Sequence, residues 1–538
     1  MNFSKKIFIF FMIISSMLSQ VAFAEDIENR VDDPSFASTF LKDRSQGFTE
    51  LSSRDINELL LYNEFDSYTD TNLEYNSAVK ELINSLMSVQ KLYNQGNVAV
   101  AYSEYKKIIG EMTPNDFYYM ITAYQLANQG FFSLADIAAS KVNDKNIWGN
   151  HINSLKKHLV SNTEFTAEEE IFLAQIHTDI VYNNLTEECR SKIAESSKKI
   201  KNSDYAAYLE ALAYSTQKDY KKALDEIEKA VSLNPSNITY TNFKAETEKN
   251  LYKNKDALKT LKKAHTDDVV LAGTKKETEK IKYYILSDTE KKEPVRKYDL
   301  AYYFYLNKDY ARAINELTLL ISRGDTEKAP ALLGHIYTLT GKTESAKKVY
   351  EKQISKKKNS ASAYVGLGNI AAIERNYGLA LKYYEQAYKY DSKDPQILVG
   401  LAALNKNRNN PKEAEKFAQK ALKEAPEFYK TTYINSVFAK NEREAVGYLK
   451  KTAGLNPLFA ETWLDLAQKA YDASDITEAE RYVNNAAFLT KESYRYFYLK
   501  YTVELRRFGN TENSATDIKR ARKLYSEKRG LGKFLDNI

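Results

Sequence analysis

Alanine recurs in this sequence at an interval that strongly restricts how the chain can fold. Ala346, Ala380 and Ala414 follow one another 34 residues apart, and Ala313 lies 33 residues before Ala346. Ala313 and Ala380 open a full motif of Ala-x3-(large apolar)-x2-(small or apolar), whereas Ala346 and Ala414 each match one of its two later positions. Two short helices with their turns fit this interval, provided that each helix buries one apolar stripe. The 34-residue interval also separates three further pairs: Ala101 and Ala135, Ala223 and Ala257, and Ala445 and Ala479.

The composition favours helices throughout the chain. Only 9 prolines and 18 glycines occur among 538 residues, so helix-breaking residues are scarce. In the second helix of one copy, Ala380, Tyr384 and Ala387 share a face, and such small residues let two helices approach closely. A single helical hairpin cannot bury its own apolar face, so the copies must stack on one another. The sequence therefore predicts an all-α solenoid of helix-turn-helix repeats.

One copy of the repeat shows a family pattern most fully. Trp463, Leu466 and Ala467 open a Trp-x2-Leu-Ala-x2-Ala motif, and Ala479 and Val483 follow at the spacing of a second helix. These residues resemble the tetratricopeptide repeat, whose pattern is W-x2-L-G-x2-Y, then A-x3-F, then P. The resemblance implies an all-α, right-handed superhelical solenoid whose first helices line a concave groove. It is specific for fold and much less specific for function, because the family scaffolds diverse assemblies.

The repeats are predicted to cover most of residues 80–493, although 150–203 and 272–293 fit the pattern poorly. The final residues are predicted to form two capping helices, at 494–508 and 516–528. Copies are expected at 204–237, 238–271, 294–326, 327–360, 361–394, 395–425, 426–459 and 460–493, with two more at 82–115 and 116–149. The predicted segments are a signal peptide (1–24), an acidic N-terminal arm (25–75), degenerate helical repeats (76–203), repeats with an irregular connection (204–293), repeats (294–493) and capping helices (494–538).

The first 24 residues have the three parts of a secretory signal peptide. Lys5 and Lys6 precede an apolar run at 7–18, and Ala22-Phe23-Ala24 supplies the small-x-small cleavage pattern. The apolar run is shorter than the roughly 20 residues that a membrane span requires. We therefore expect cleavage after Ala24 and a mature chain without a transmembrane span, an uncut signal anchor being the alternative. The expected location is the periplasm or cell envelope of a bacterium, or alternatively the medium.

Charge is distributed unevenly along the chain. The whole sequence carries a formal charge of +6, yet residues 25–75 contain thirteen acidic residues and only four basic ones. The remainder is therefore basic, most densely at residues 519–533. Such a balance indicates either solvated helix faces or a docking surface for an acidic polymer, an anionic membrane or the chain's own acidic arm. Nucleic acid is not an expected partner, because the basic residues are interspersed with acidic ones.

The sequence contains none of the common catalytic motifs. No G-x-S-x-G elbow, phosphate-binding G-x-x-x-x-G-K-[ST], dinucleotide-binding G-x-G-x-x-G or zinc-binding H-E-x-x-H occurs. His151 and His158 share a helical face but lack a third ligand at a suitable spacing. Cys189, the single cysteine, is more typical of a small buried side chain than of a reactive one. We therefore predict no catalytic residue, metal site or cofactor; an enzyme within 150–203 is the alternative, although that segment is short.

Tyrosine is unusually abundant, with 41 residues in the chain. A tyrosine offers a large contact area, little side-chain entropy to lose and a hydroxyl group, which suits contact with peptides or sugars. Some of these tyrosines occupy packing positions of the repeat, and packing between repeats is the alternative for the others. By analogy with the family, residues of the first helices point into the groove. The candidate groove residues are Tyr298, Tyr302, Tyr305, His335, Asn369 and Lys406.

Three functions fit these observations to different extents. The first is an exported scaffold or adaptor that binds a partner protein or peptide in its groove within the cell envelope. The second is binding or export of an acidic polysaccharide or cell-wall polymer through the basic residues and tyrosines. The third is the hidden enzyme in 150–203. The sequence favours the first, and it does not identify the partner.

Overall fold

A computed structural model describes residues 80–111, 115–182, 186–264, 274–289, 292–324, 328–487, 489, 493–509 and 511–529. The predicted signal peptide and acidic arm lie outside the described residues. Within them the chain forms 26 α-helices and no strands, so the prediction of an all-α helical repeat protein is confirmed. None of the described helices is both long and apolar enough to cross a lipid bilayer.

The first twelve helices precede residue 290. They are α1 (Lys80–Asn94), α2 (Val98–Glu111), α3 (Asp116–Gln129), α4 (Phe132–Ser140), α5 (Lys145–His158), α6 (Ala167–Val181), α7 (Glu187–Lys199), α8 (Asp204–Thr216), α9 (Tyr220–Leu233), α10 (Ile238–Asn250), α11 (Asn254–Lys263) and α12 (Thr274–Thr289).

The remaining fourteen helices lie between residues 293 and 529. They are α13 (Glu293–Leu306), α14 (Tyr310–Arg323), α15 (Lys328–Leu339), α16 (Thr343–Lys356), α17 (Ala361–Ile373), α18 (Tyr377–Tyr390), α19 (Pro395–Asn407), α20 (Pro411–Glu424), α21 (Tyr429–Ser436), α22 (Glu442–Leu455), α23 (Ala460–Asp472), α24 (Ile476–Ala486), α25 (Tyr494–Phe508) and α26 (Glu512–Arg529).

The helices belong to two compact units. The first unit contains the described residues of 71–281 and of 470–538, and the second contains those of 282–469. Each of the eight repeats predicted between 204 and 493 contains one helical hairpin. The predicted helix at 494–508 is present as α25, whereas α26 begins at Glu512 and not at 516. The reason is a reciprocal cap, in which the backbone N–H of Ser514 donates to Oγ1 of Thr511 over 3.1 Å and the N–H of Thr511 donates to Oγ of Ser514 over 2.9 Å.

The turn inside nine of the described hairpins has a characteristic hydrogen-bonding pattern. Between α8 and α9, Lys218 adopts a φ of 63°, its N–H donates to the carbonyl of Ser215, and the N–H of Asp219 donates to that of Tyr214, both over 3.0 Å. This is the Schellman arrangement that ends many helices, and Asp219 then caps α9. A left-handed residue occupies this place in eight other hairpins: Gly96, Gly130, Tyr252, Lys308, Gly341, Arg375, Asn409 and Ser474.

Large tyrosine rings fill the space between successive first helices in the second unit. Tyr350 on α16 lies against Gly334 of α15 and Gly366 of α17, where a Cβ atom would collide with the ring. Since both glycines are within helices, their role is to leave room for the ring. A second ring, Tyr384, is enclosed in the same way one repeat further on. The 34-residue repeat therefore places equivalent tyrosine rings, Tyr350 and Tyr384, between successive first helices.

The segment 150–203, one of the two that fit the repeat pattern poorly, contributes to the core of the first unit. It contains α6 and α7, and Leu173 and Ile176 are fully buried within that core. Glu170 at the start of α6 also caps α4, accepting hydrogen bonds of 2.6 Å from both the backbone N–H and the hydroxyl of Ser133. This contact replaces a local cap, because Phe131 provides no side-chain hydrogen bond to α4. The segment therefore stabilises neighbouring helices.

The first unit also joins helices that are far apart in the sequence. The N–H of Phe117 at the start of α3 donates to Oδ1 of Asn485 on α24 over 3.1 Å. Asn115 donates from Nδ2 to the carbonyl of Asn484 over 2.6 Å. Arg481 on the same helix lies 3.4 Å from the carboxylate of Asp144, which caps α5. We call this contact the α3–α24 joint.

Candidate functional site

The predicted tyrosine cluster is continuous within the second unit. The ring of Tyr302 lies 6.3 Å from that of Tyr298 and 5.6 Å from that of Tyr305 along α13. Tyr283 of α12 packs on the same ring at 4.4 Å. Tyr302 and Tyr305 are buried, whereas Tyr298 is partly exposed. The shared helical face was predicted from the sequence, but two of its three members pack against neighbouring residues.

The other three candidates lie on different helices of the same unit. His335 on α15 is buried, and its Nε2 atom is 3.2 Å from the hydroxyl of Tyr305. Asn369 on α17 is buried and accepts a 2.6 Å hydrogen bond from the hydroxyl of Tyr384. Lys406 at the end of α19 is half-buried, with its ammonium group 5.7 Å from the ring centre of Phe438.

The structure thus places four of the six candidates in the interior. These four residues make contacts within the protein, as expected if they pack between repeats, which is the alternative that the sequence left open. They are Tyr302, Tyr305, His335 and Asn369. Their contact with a partner stays a prediction. In this conformation, Tyr298 and Lys406 are the two candidates with accessible surface.

A cleft of about 1030 Å³ lies in the second unit, lined mainly by residues of the α13–α14 hairpin and of the α15–α16 hairpin. We call it the basic cleft. Tyr298 lines it, and it is the one sequence candidate that does so. Its apolar and aromatic lining residues include Val295, Tyr298, Ile321, Leu333, Tyr337 and Val349. Its lysines are Lys328, Lys348, Lys352, Lys356 and Lys357.

Three of these lysines form a row along α16. Lys348, Lys352 and Lys356 are four residues apart, so they share one helical face, and all three are exposed. Within the part of the chain that is described, no carboxylate forms an ion pair with them. Lys347 on the same helix differs, since it pairs with Glu344 at 3.0 Å and Glu374 at 2.6 Å. The lysine row therefore presents three positive charges that the described residues do not neutralise.

The cleft has little negative charge of its own. Asp299 is the sole carboxylate among its described lining residues, and it is buried on α13. A smaller cleft of about 260 Å³ in the same unit is different, because Glu415 and Glu444 line it together with Lys423 and Lys440. The basic cleft thus combines apolar walls, three tyrosines and a clear excess of positive charge.

The titratable groups of the segment 150–203 do not resemble a catalytic centre. Burial raises the pKa of the Cys189 thiol to about 11, so the thiol is protonated and poorly nucleophilic near neutral pH. Burial lowers the pKa of His177 to about 4, and its Nδ1 atom lies 2.8 Å from the hydroxyl of Tyr93. Among the described residues, no group of three or more His, Cys, Asp or Glu side chains is placed to hold a metal ion.

Family models match three parts of the chain. Residues 205–237 and 331–359 match one tetratricopeptide repeat model, and residues 371–429 match a second. The first of these ranges belongs to the first unit, and the other two belong to the second. The range 331–359 contains the whole lysine row. No functionally curated protein matches the sequence.

Solved structures with helical repeats also match parts of the chain. PilF of Pseudomonas aeruginosa is 21% identical, covering 40% of this chain and 100% of its own, with a TM-score of 0.34. YrrB, described as a TPR protein with an unusual peptide-binding site, is 16% identical over 34% of this chain and 97% of its own, with a TM-score of 0.27. Yeast Tom70 is 12% identical over 69% of this chain and 99% of its own, with a TM-score of 0.32.

The chain therefore contains tetratricopeptide repeats in both of its compact units. Stacked repeats of this class present extended surfaces to other molecules. Their presence supports a scaffold for protein–protein interaction.

Proposed function

We propose that this protein is an exported scaffold that binds a partner protein in the cell envelope. The basic cleft carries this proposal, because it is an open site of about 1030 Å³ between two adjacent repeats. Its aromatic and apolar side chains offer contact area, and its exposed lysines offer charge. Binding is favoured over catalysis, because burial keeps the Cys189 thiol and the His177 imidazole, two groups of 150–203 that could act as nucleophile and base, in their neutral forms.

Export is supported by the sequence of the first 24 residues. The test is to express the full-length chain in a bacterium, fractionate the cells and determine the N-terminus of the recovered protein. Export predicts a mature chain that begins at Glu25 and is found outside the cytoplasm. An intact N-terminus in the cytoplasmic fraction would overturn this part of the proposal.

The scaffold role is tested by crosslinking in cells, followed by capture of a C-terminally tagged chain. We expect one or a few envelope proteins to be recovered, and to remain bound when the salt concentration is raised. A variant in which the tagged chain carries Lys348→Gln, Lys352→Gln and Lys356→Gln serves as the cleft control. Recovery of no specific protein in repeated captures would contradict the proposal.

A second function is favoured by one observation, the lysine row, which has no ion-pair partner among the described residues. An acidic polysaccharide or cell-wall polymer could be held by such a row through charge alone. This function predicts that captured material consists of glycan, and that it is released when salt screens the charges. The same capture experiment distinguishes the two functions.

A further inference from the structure

We infer that the ligand of the basic cleft is an extended, acidic segment of the partner protein, with acidic side chains at every second residue. This inference rests on the proposed function and specifies the chemistry of the site. It depends on three features: the spacing of the lysine row, the apolar wall of the cleft and the uneven charge of its lining residues.

The spacing of the lysine row matches that of an extended peptide. An α-helix rises 1.5 Å per residue, so side chains four residues apart on α16 are separated by about 6 Å along the helix axis. An extended chain rises about 3.3 Å per residue, so every second side chain recurs at about 6.6 Å on one side. Carboxylates at alternate positions could therefore approach Lys348, Lys352 and Lys356 in turn. A helical peptide lying parallel to α16 would match the spacing of the lysine row only if its acidic residues were four residues apart.

The apolar wall accounts for the residues between the acids. In an extended segment, the side chains between the acidic positions point to the opposite side. Val295, Tyr298 and Ile321 come from the other hairpin that lines the cleft, and they are suited to apolar side chains. A sugar-acid polymer is covered mostly by hydroxyl and carboxylate groups, so it would bury less apolar surface against this wall than apolar side chains would. The cleft therefore favours a peptide over a glycan.

The lysine row is available to an anionic ligand, because none of the described carboxylates forms an ion pair with it. Lys347 has two carboxylate partners from its own and the next repeat, but the lysine row has none among the described residues. Charge-assisted hydrogen bonds from ammonium groups to carboxylates are stronger than neutral ones, particularly at the edge of a cleft where water is partly excluded. Binding should therefore depend on these three side chains, and added salt should weaken it only in part, because salt screens the charges but not the apolar contacts.

The test uses the mature full chain and a fluorescein-labelled ten-residue peptide of alternating Glu and Leu. A peptide with Gln in place of Glu controls for charge, and labelled polygalacturonate represents the glycan. The cleft variant carries Lys348→Gln, Lys352→Gln and Lys356→Gln. A matched variant carries Lys382→Gln, Lys389→Gln and Lys393→Gln, which are exposed lysines of the second unit outside the cleft. Circular dichroism confirms that both variants remain folded.

We expect the cleft variant to lose at least about tenfold in affinity for the Glu-Leu peptide, because three cation–carboxylate contacts are removed. The matched variant should bind as the unmodified chain does, and the Gln-Leu peptide should bind weakly to all three proteins. Equal loss in both variants would overturn the inference, since it would show that only net charge matters. Binding of polygalacturonate but not of the Glu-Leu peptide would also overturn it, in favour of the glycan.

A further variant tests whether the chain's own acidic residues occupy the basic cleft. It replaces Glu64, Asp66, Asp70 and Glu74 with their amides. If the peptide binds only to this variant, then the chain's own acidic segment occupies the cleft, and the inference of a partner segment is wrong. If cells yield a specific partner whose capture is unaffected by the three cleft substitutions, the scaffold function stands while the inference about this cleft fails.

Discussion

The hydroxyl of Tyr384 donates a 2.6 Å hydrogen bond to Oδ1 of Asn369, and the ring of the same tyrosine lies between Gly368 and Gly400. One side chain thus connects α18 with the first helices of two successive repeats. Both partners of the hydrogen bond are buried. The amide oxygen therefore depends on Tyr384 to offset its loss of contact with water.

Tyr384→Phe should destabilise the second unit by about 1–2 kcal/mol, because a buried acceptor loses its donor while the ring is retained. The measurement is urea-induced unfolding followed by circular dichroism. Tyr390→Phe is the matched control, since Tyr390 is largely exposed and should tolerate the change. An unchanged unfolding midpoint for Tyr384→Phe would show that the hydrogen bond contributes nothing to stability.

Gly366→Ala should destabilise the chain by about 1–3 kcal/mol, because the new methyl group would collide with the ring of Tyr350 in a filled core. Gly447→Ala is a matched control within a helix of the same unit, where no neighbouring atom lies within 4 Å. That change should instead stabilise by up to about 1 kcal/mol through helix propensity. Thermal unfolding of the two variants should shift the midpoint in opposite directions, and shifts of the same sign would contradict the packing described here.

The packing glycines illustrate what the sequence could and could not predict. The alanine positions predicted the hairpins, because small residues are needed wherever two helices approach closely, whereas the contacts of Gly366 and Gly400 with tyrosine rings required the structure. The helical spacing of Tyr298, Tyr302 and Tyr305 predicted a shared face, but spacing does not tell whether another element covers that face.

The lysine row was not predicted, although its signal is present in the sequence. Lys348, Lys352 and Lys356 have helical spacing on a second helix, whereas the family analogy places groove residues on first helices. Exposed lysines are common on helices, so their significance depends on which side chains surround them. The α3–α24 joint had no local signal at all, because Phe117 and Asn485 belong to opposite ends of the described chain.

The stability of the first unit should decrease as the pH falls from about 6.5 towards 4. Burial lowers the pKa of His177 to about 4 in the folded chain, whereas an unfolded histidine titrates near 6.5. Between these values the unfolded state binds more protons, so acid favours unfolding, and the loss amounts to about 3 kcal/mol. Above pH 6.5 the contribution of His177 is constant.

His177→Asn tests this pH dependence. The variant should be less stable than the unmodified chain at pH 7.5, because the contact with Tyr93 is altered, but its stability should depend less on pH between 7 and 5. Urea unfolding at a series of pH values provides the measurement. If both proteins lose stability in parallel over this range, another group is responsible.

Tyr252→Gly should stabilise the hairpin of α10 and α11 by about 0.5–1 kcal/mol. Tyr252 has a φ of 61° and is 92% exposed, so its side chain bears the steric cost of a left-handed conformation. Glycine removes that cost, although part of the gain is offset by the greater entropy of the unfolded chain. Tyr252→Ala retains the Cβ atom and should give no such gain. Equal unfolding midpoints for the Gly and Ala variants would argue against the steric explanation.

The α3–α24 joint affects the order in which this protein can be completed during synthesis. Domains generally fold as units while the chain grows from its N-terminus. The described residues of the second unit all lie within 282–469, so they have been synthesised by residue 469. The first unit begins earlier but needs Asn485 before Phe117 has its hydrogen-bond acceptor. The first unit is therefore begun first and completed last. Its α3 helix cannot form the hydrogen bond to Asn485 until the C-terminal part of the chain has been synthesised.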